Sequence, residues 1–312
     1  DDGSNVHYIN AGIGGTPSSL GVIRYERDVL NKLTTGNTPD ILFIEFAVND
    51  YQECTSGGAY EGLIRRALNS GSAVFLIFSV FQGDGESMNR VLESTYIPYG
   101  RHYDLPMIST GDAIKEAYKD KNFQNDFYAD PLHPSNYGHK LMADCIMNAF
   151  YEIEIKEEED DNIGDLADFT PYKTTAYENT KMIASNTEIE EIDAIESIDV
   201  GGFSAKDTNT AGQTLDNNWM HNASTGNDSF KIKVNCKNML VVFKISTSAN
   251  SGIAELYVDG VKKTTMNSFD TSGWNNANIV VGFSNSEAAV HEIEIQCVRE
   301  IVLQLKKRKK QP

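Results

Sequence analysis

The period of the apolar residues changes once along this chain, near residue 152, and that change limits the fold more than any other feature. Before it, apolar runs of strand length at 6–9, 41–46, 73–80 and 107–109 alternate with stretches at 22–33, 60–68, 89–96, 113–118 and 136–151 whose apolar residues recur every three or four positions. Strand followed by helix, repeated, predicts a parallel sheet covered by helices on both faces, since parallel neighbours need a crossover between them. After residue 170 the period falls to two. Phe230, Ile232 and Val234 share one face, and further runs follow at 240–245, 253–258, 279–283 and 290–295. Alternation of that kind builds antiparallel strands with one buried face. Asp259-Gly260 between two runs predicts a two-residue hairpin, because both positions of a type I′ turn need positive φ. The expected architecture is an all-β sandwich of jelly-roll type.

Residues 152–165 hold eight acids against the single Lys156, and charges of one sign at that density repel and resist packing. They read as a linker. The expected organisation is an α/β domain over 1–151, an acidic linker over 152–170, a β domain over 171–305 and a basic tail over 306–312. The tail receives no role.

Net charge narrows the partners. With 45 acidic against 27 basic residues the chain carries −18, so a phosphate backbone is repelled and nucleic acid is not expected. No apolar run approaches the ~18 residues of a membrane span. Cys54, Cys145, Cys236 and Cys297 lack the spacing of a zinc site; a Cys236–Cys297 bridge and free thiols both stay open. The chain opens at Asp1 with neither an initiator methionine nor a signal-type segment, so localisation is not legible there.

Three segments carry chemistry. Asn10-Ala11-Gly12-Ile13-Gly14-Gly15-Thr16 lies between a predicted strand and a helix, where glycine lets backbone approach a bound group or simply supplies a turn. Phe43-Ile44-Glu45-Phe46-Ala47-Val48-Asn49-Asp50 ends a predicted strand in two short polar residues, and ligands of open α/β sheets bind outside such ends. Asn49 there is either a turn residue or a donor to a developing oxyanion. Asp130-Pro131-Leu132-His133-Pro134-Ser135 precedes the last helix of the first domain. His133 suits a general base with Asp130 fixing its tautomer; the bland reading makes Asp130 or Ser135 a helix cap.

In their order these segments resemble the SGNH, or GDSL-type, hydrolase family of serine esterases and acyltransferases, over roughly residues 6–151. The resemblance implies a three-layer α/β/α flavodoxin-like domain with strand order 2-1-3-4-5 and no metal or organic cofactor. It implies an oxyanion hole from the Gly15 backbone N–H and Asn49, with Asp130 orienting the base His133. Ala47 stands where the family often has glycine, which leaves Asn49 in register.

The block that carries the family's serine, at the end of the first strand, has no match. Asp2-Gly3-Ser4 imitates it, but five residues between Ser4 and Asn10 cannot hold the intervening helix and strand; Ser79 lies within a predicted strand and Ser229 leads into one. The expectation is an N-terminally incomplete domain without its first strand, inactive as it stands, whose second and third strands lack their shared neighbour. In the β domain, Trp219 and Trp274 lie in Asn- and Ser-rich loops, either stacking on sugar rings or filling the core. The combination resembles polysaccharide esterases that join an SGNH domain to a carbohydrate-binding β-sandwich. The expected function is a carbohydrate esterase, a deacetylase acting through an acyl-enzyme. A non-catalytic carbohydrate-binding protein with a degenerate hydrolase domain is the alternative, and a lipase is disfavoured by the lack of a long apolar lid.

Overall fold

A computed structural model describes residues 6–83, 90–155, 169–189, 192–211 and 215–298. The chain divides into two compact units, Asp1–Lys181 and Met182–Pro312.

In the first unit, β1 (Ile41–Glu45), β2 (Ala73–Phe78) and β3 (Met107–Ser109) form a parallel sheet in the order β1-β2-β3. The pairing runs in register from Ile41 opposite Ala73 to Glu45 opposite Ile77. β2, flanked on both sides, is the apolar run with no exposed residue, as a central parallel strand should be. The helices are α1 (Ser18–Asp28), α2 (Gly58–Asn69), α3 (Val91–His102), α4 (Thr110–Ile114), α5 (Lys121–Phe127) and α6 (Asn136–Ile155). α1 starts four residues before its apolar period because Pro17 at the N-cap fixes the entry of the chain. α3 runs through Pro98, where sequence alone ends the helix before the proline. Tyr96 and Tyr99, both buried on either side of Pro98, offset the lost hydrogen bond by packing with Tyr60, whose ring stacks on Tyr96 at 3.8 Å. α6 lies on the sheet through Cys145, Ile146, Ala149 and Phe150, which meet Phe75, Ile77 and Ile108. It includes residues 152–155, expected to belong to the linker.

Residues 6–9, expected as a strand, are not one: Val6 and Tyr8 are 73% and 83% exposed and the segment pairs with no strand among the described residues. A strand exists only by pairing, and β1, to which this segment is not joined, is an edge of the described sheet with Ile41 and Phe43 exposed.

Residues 169–181 pack on the first unit, so its boundary falls beyond the expected 171. The cause is one carboxylate. Glu61 of α2, fully buried, accepts the backbone N–H groups of Tyr172 (2.6 Å), Lys173 (3.0 Å) and Thr174 (2.8 Å) and the Tyr103 hydroxyl (2.5 Å). Arg65 adds an ion pair to Glu178 at 2.6 Å, and Arg66 donates to the Thr180 carbonyl. The strap lies so close that a Cβ on Gly62 would stand 2.9 Å from the Tyr177 backbone. Glu61→Ala leaves several buried donors unpaired and is expected to cost about 3–5 kcal/mol, read as a lowered denaturation midpoint. A loss under about 1 kcal/mol would show that water serves these donors instead.

The remainder of the acidic linker, residues 156–168, and the basic tail lie outside the described residues, as does Ser4.

The second unit holds β4 (Ile195–Asp199), β5 (Phe230–Ser246), β6 (Ile253–Val258), β7 (Val261–Asn267) and β8 (Trp274–Val298) in one antiparallel sheet ordered β4-β5-β8-β6-β7. The alternation reads correctly: Phe230, Ile232 and Val234 face a core with Leu256, Val258 and Ile293. Asp259 and Gly260 have φ of 51° and 74°, the expected hairpin joining Val258 to Val261. The runs at 230–234 and 240–245 belong to one strand, as do those at 279–283 and 290–295. Polar residues between them stay paired, and breaks of register at Cys236/Asn238 and Met239/Leu240 absorb the phase change. Hydrogen bonding thus joins the described strands into one sheet. Cys236 and Cys297 are free thiols, as are Cys54 and Cys145.

Candidate active site

Hydrogen bonds made just past the ends of β1 and β2 tie in the segments singled out above. β1 runs through Phe46 into a turn in which the N–H groups of Asn49 and Asp50 both donate to the Phe46 carbonyl, at 3.0 Å each. This turn presents Asn49 at the sheet end, and Ala47, buried beneath it, leaves that geometry intact.

Asp50 links this turn to the glycine segment. Its Oδ1 accepts the Ser18 N–H at 2.6 Å, at the first turn of α1, and its Oδ2 accepts the Tyr96 hydroxyl at 2.5 Å. Asp50 is 5% exposed, and burial pushes its carboxyl up to about 6 against the pull of the Tyr96 and Ser18 donors. Glu45, at the end of β1, is tucked away from solvent at its carboxyl and pushed up to about 7, first by burial and then by the charge of Asp50.

Gly15 adopts φ of +66°, in the left-handed region, and sits exposed just before Thr16 and α1. Its loop is pinned from two sides. Thr16 donates to the Ile13 carbonyl at 2.7 Å, and the buried Arg24 guanidinium donates to the Ala11 carbonyl.

The third segment is tied in through β2. The Gln82 N–H donates to the Pro131 carbonyl at 3.0 Å, fixing the turn that holds Asp130 and His133. Asp130 Oδ2 lies 2.9 Å from His133 Nδ1, while Oδ1 accepts the N–H groups of Leu132 and His133 at 2.8 and 2.9 Å. His133 first, and then these two amides, hold Asp130 down at about 2, so it stays ionised at any working pH. With Nδ1 turned to the carboxylate, Nε2 is the ring nitrogen left for chemistry. The His133 side chain is 73% exposed.

The competing cap is Ser135. Its hydroxyl accepts the Gly138 N–H at 3.2 Å and donates to the Asp126 carbonyl, so Ser135 starts α6 and Asp130 is left for His133. What sequence reading missed is Asp50 as a link and Tyr96 as its donor; the donor lies 46 residues away, and no local pattern marks that bond.

In the second unit Trp274 is 51% exposed, with its backbone N–H donating to Asn276 Oδ1 at 3.0 Å; the neighbouring Asn275 side-chain amide donates to Asn209 Oδ1 at 3.2 Å. Trp219 packs 5.0 Å from Phe230 at the margin of the core. No cluster of three potential metal ligands occurs among the described residues, and no described helix is long and apolar enough to cross a membrane.

Solved structures to which the chain is similar include a two-domain esterase. One is a two-domain esterase (CEX) active on acetylated mannans, co-crystallized with mannopentaose: TM-score 0.73, 26% identity, covering 95% of this chain and 76% of that one. A second structure of a two-domain esterase (CEX) active on acetylated mannans gives TM-score 0.73 and 25% identity over the same shares. No family model and no curated protein matches the sequence.

Proposed function

We propose that this protein is a serine esterase of the SGNH type that deacetylates a polysaccharide or oligosaccharide, with acetylated mannan the substrate class its structural neighbours suggest. The observation that carries the reading is the 2.9 Å Asp130–His133 contact, tied through Gln82 to the end of the strand beside Asn49. His133 Nε2 takes the proton of a serine hydroxyl as its oxygen attacks the ester carbonyl. The carbonyl π pair moves onto oxygen, and on this reading the Gly15 N–H and the Asn49 amide hold the charge. Collapse breaks the bond to the sugar oxygen, which recovers the proton from His133. Water, deprotonated by the same nitrogen, then attacks the acyl-serine and releases acetate.

On this reading the nucleophilic serine is outside these 312 residues, on a strand that would pair with β1, an edge of the sheet among the described residues. The exposed Ile41 and Phe43 support that placement. In the second unit Trp274 is the ring available to stack on a sugar, while Trp219 serves the packing of Phe230.

A fluorophosphonate probe tests the reading. Protein extended by that strand is expected to be labelled on one upstream serine and to release acetate from acetylated mannan, and the 312-residue chain to stay unlabelled. Labelling of a serine within the 312 residues refutes the placement of the nucleophile. An extended protein that takes no label, yet is retarded by mannan in affinity electrophoresis, is the non-catalytic carbohydrate-binding protein.

A further inference from the structure

Two aromatic residues, one shortly after Asn49 in sequence and one next to the residue that holds the His133 turn, are left unused by the acyl-transfer chemistry. Tyr51, two positions after Asn49, is 56% exposed. Phe81 follows the end of β2 and is half-buried, one residue before the Gln82 N–H that holds the Pro131 carbonyl. Their rings meet edge to face, 6.5 Å apart at 73°.

The backbone around Phe81 is fixed on every side. The Tyr128 hydroxyl donates to the Val80 carbonyl at 2.9 Å and the Tyr118 hydroxyl to the Gln82 carbonyl at 2.7 Å. Tyr118 and Tyr128 are themselves buried in a cluster with Val80, Ile114 and Phe127. Two buried tyrosines and the Pro131 carbonyl thus accept or donate hydrogen bonds at the backbone on either side of Phe81. An aromatic residue so held loses little entropy on binding.

We propose that Tyr51 and Phe81 form a sugar-stacking subsite beside the acyl-transfer centre, taking the apolar C–H face of a pyranose ring of the polysaccharide backbone. The proposal rests on the esterase reading and adds to it the surface that selects a carbohydrate over a simple ester. The chemistry fits: an aromatic ring face offers apolar contact to the C–H face of a sugar. The pair follows Asn49 and precedes His133 in sequence, and Gln82, next to Phe81, is hydrogen-bonded to the turn that holds the base.

The test is a split between substrates. In the catalytically complete protein, Tyr51→Ala and Phe81→Ala are expected to raise KM for acetylated mannan at least about tenfold and to leave kcat for p-nitrophenyl acetate within about twofold, because uniform binding of the remote sugar is what is lost. Tyr51→Phe keeps the ring and is expected to stay close to wild type. Should Phe81→Ala fail to fold, Phe81→Leu and the exposed Tyr51→Ala carry the measurement. Binding of an unacetylated β-linked manno-pentasaccharide to the 312-residue chain, followed by calorimetry, gives a readout that needs no esterase activity. A tenfold weaker Kd in Tyr51→Ala supports the subsite even if the esterase reading falls. Unchanged KM and Kd, or equal losses on the polymer and the small ester, overturn it.

Discussion

His133→Ala, in the protein complete with its nucleophile, is expected to lower kcat for p-nitrophenyl acetate by roughly four orders of magnitude, the scale on which a triad base acts. Its folding should hardly change. The side chain is 73% exposed and its contact with Asp130 stands in water, where such contacts contribute little. Asp130→Asn is the informative companion: it keeps the size of the side chain but can present an amide N–H to Nδ1, favouring the wrong tautomer. A loss of kcat in both variants, with thermal midpoints within about 2 °C of wild type, is the signature of a base and its orienting acid. Near-wild-type turnover in His133→Ala would remove the residues 130–133 from the mechanism and leave the turn as a helix lead-in.

That turn was legible in the sequence because its interactions are local. Asp130 reaches His133 and two amides within three residues, and Ser135 caps the helix it precedes. The hairpin at Asp259-Gly260 was legible for the same reason: positive φ at both positions is written in the residue types. The strand positions of the α/β unit follow from apolar runs that only a central sheet can bury, and β2 matches its run nearly end to end.

What the sequence withheld was set at long range. Residues 6–9 have the composition of a strand and the exposure of a loop, because strand formation depends on a neighbour that composition does not specify. The strap over 169–181 looks like the start of the β domain until Glu61, more than a hundred residues earlier, gathers its amides. α5, with its Asn-rich Lys121–Phe127, has weak intrinsic propensity and is started by the Asp120 side chain accepting the Asn122 N–H. The two long strands of the second unit looked like four because polar residues between apolar runs suggest a loop, while their pairing continues through Asn235 and Cys236.

Asp50→Ala is expected to lower kcat about 100-fold or more, although Asp50 touches no reacting atom. It is a positioning residue. Its carboxylate ties the turn bearing Asn49 to Ser18, three residues after Gly15, so one side chain sets the spacing of the two proposed oxyanion donors. Asp50→Asn retains an oxygen for the Ser18 N–H and is expected to recover most of kcat, whereas a merely structural role would give both variants fewer active molecules with unchanged turnover per folded molecule. Stability against pH supplies a second readout. The groups around Asp50 are Tyr96, Tyr60, Glu45, Glu53 and Cys54, and burial raises its carboxyl from 3.8 to about 6. Since the folded form binds the proton more tightly than the unfolded one, Asp50 is most favourable to folding below about 4. That contribution is lost as pH rises to about 6, by about 3 kcal/mol. Asp50→Asn cannot titrate, so the difference in unfolding free energy between wild type and variant should fall by that order over the window. A pH-independent difference would mean that Asp50 is already ionised in the acid range, and that the link to Ser18 is made by a charge the fold accommodates without strain.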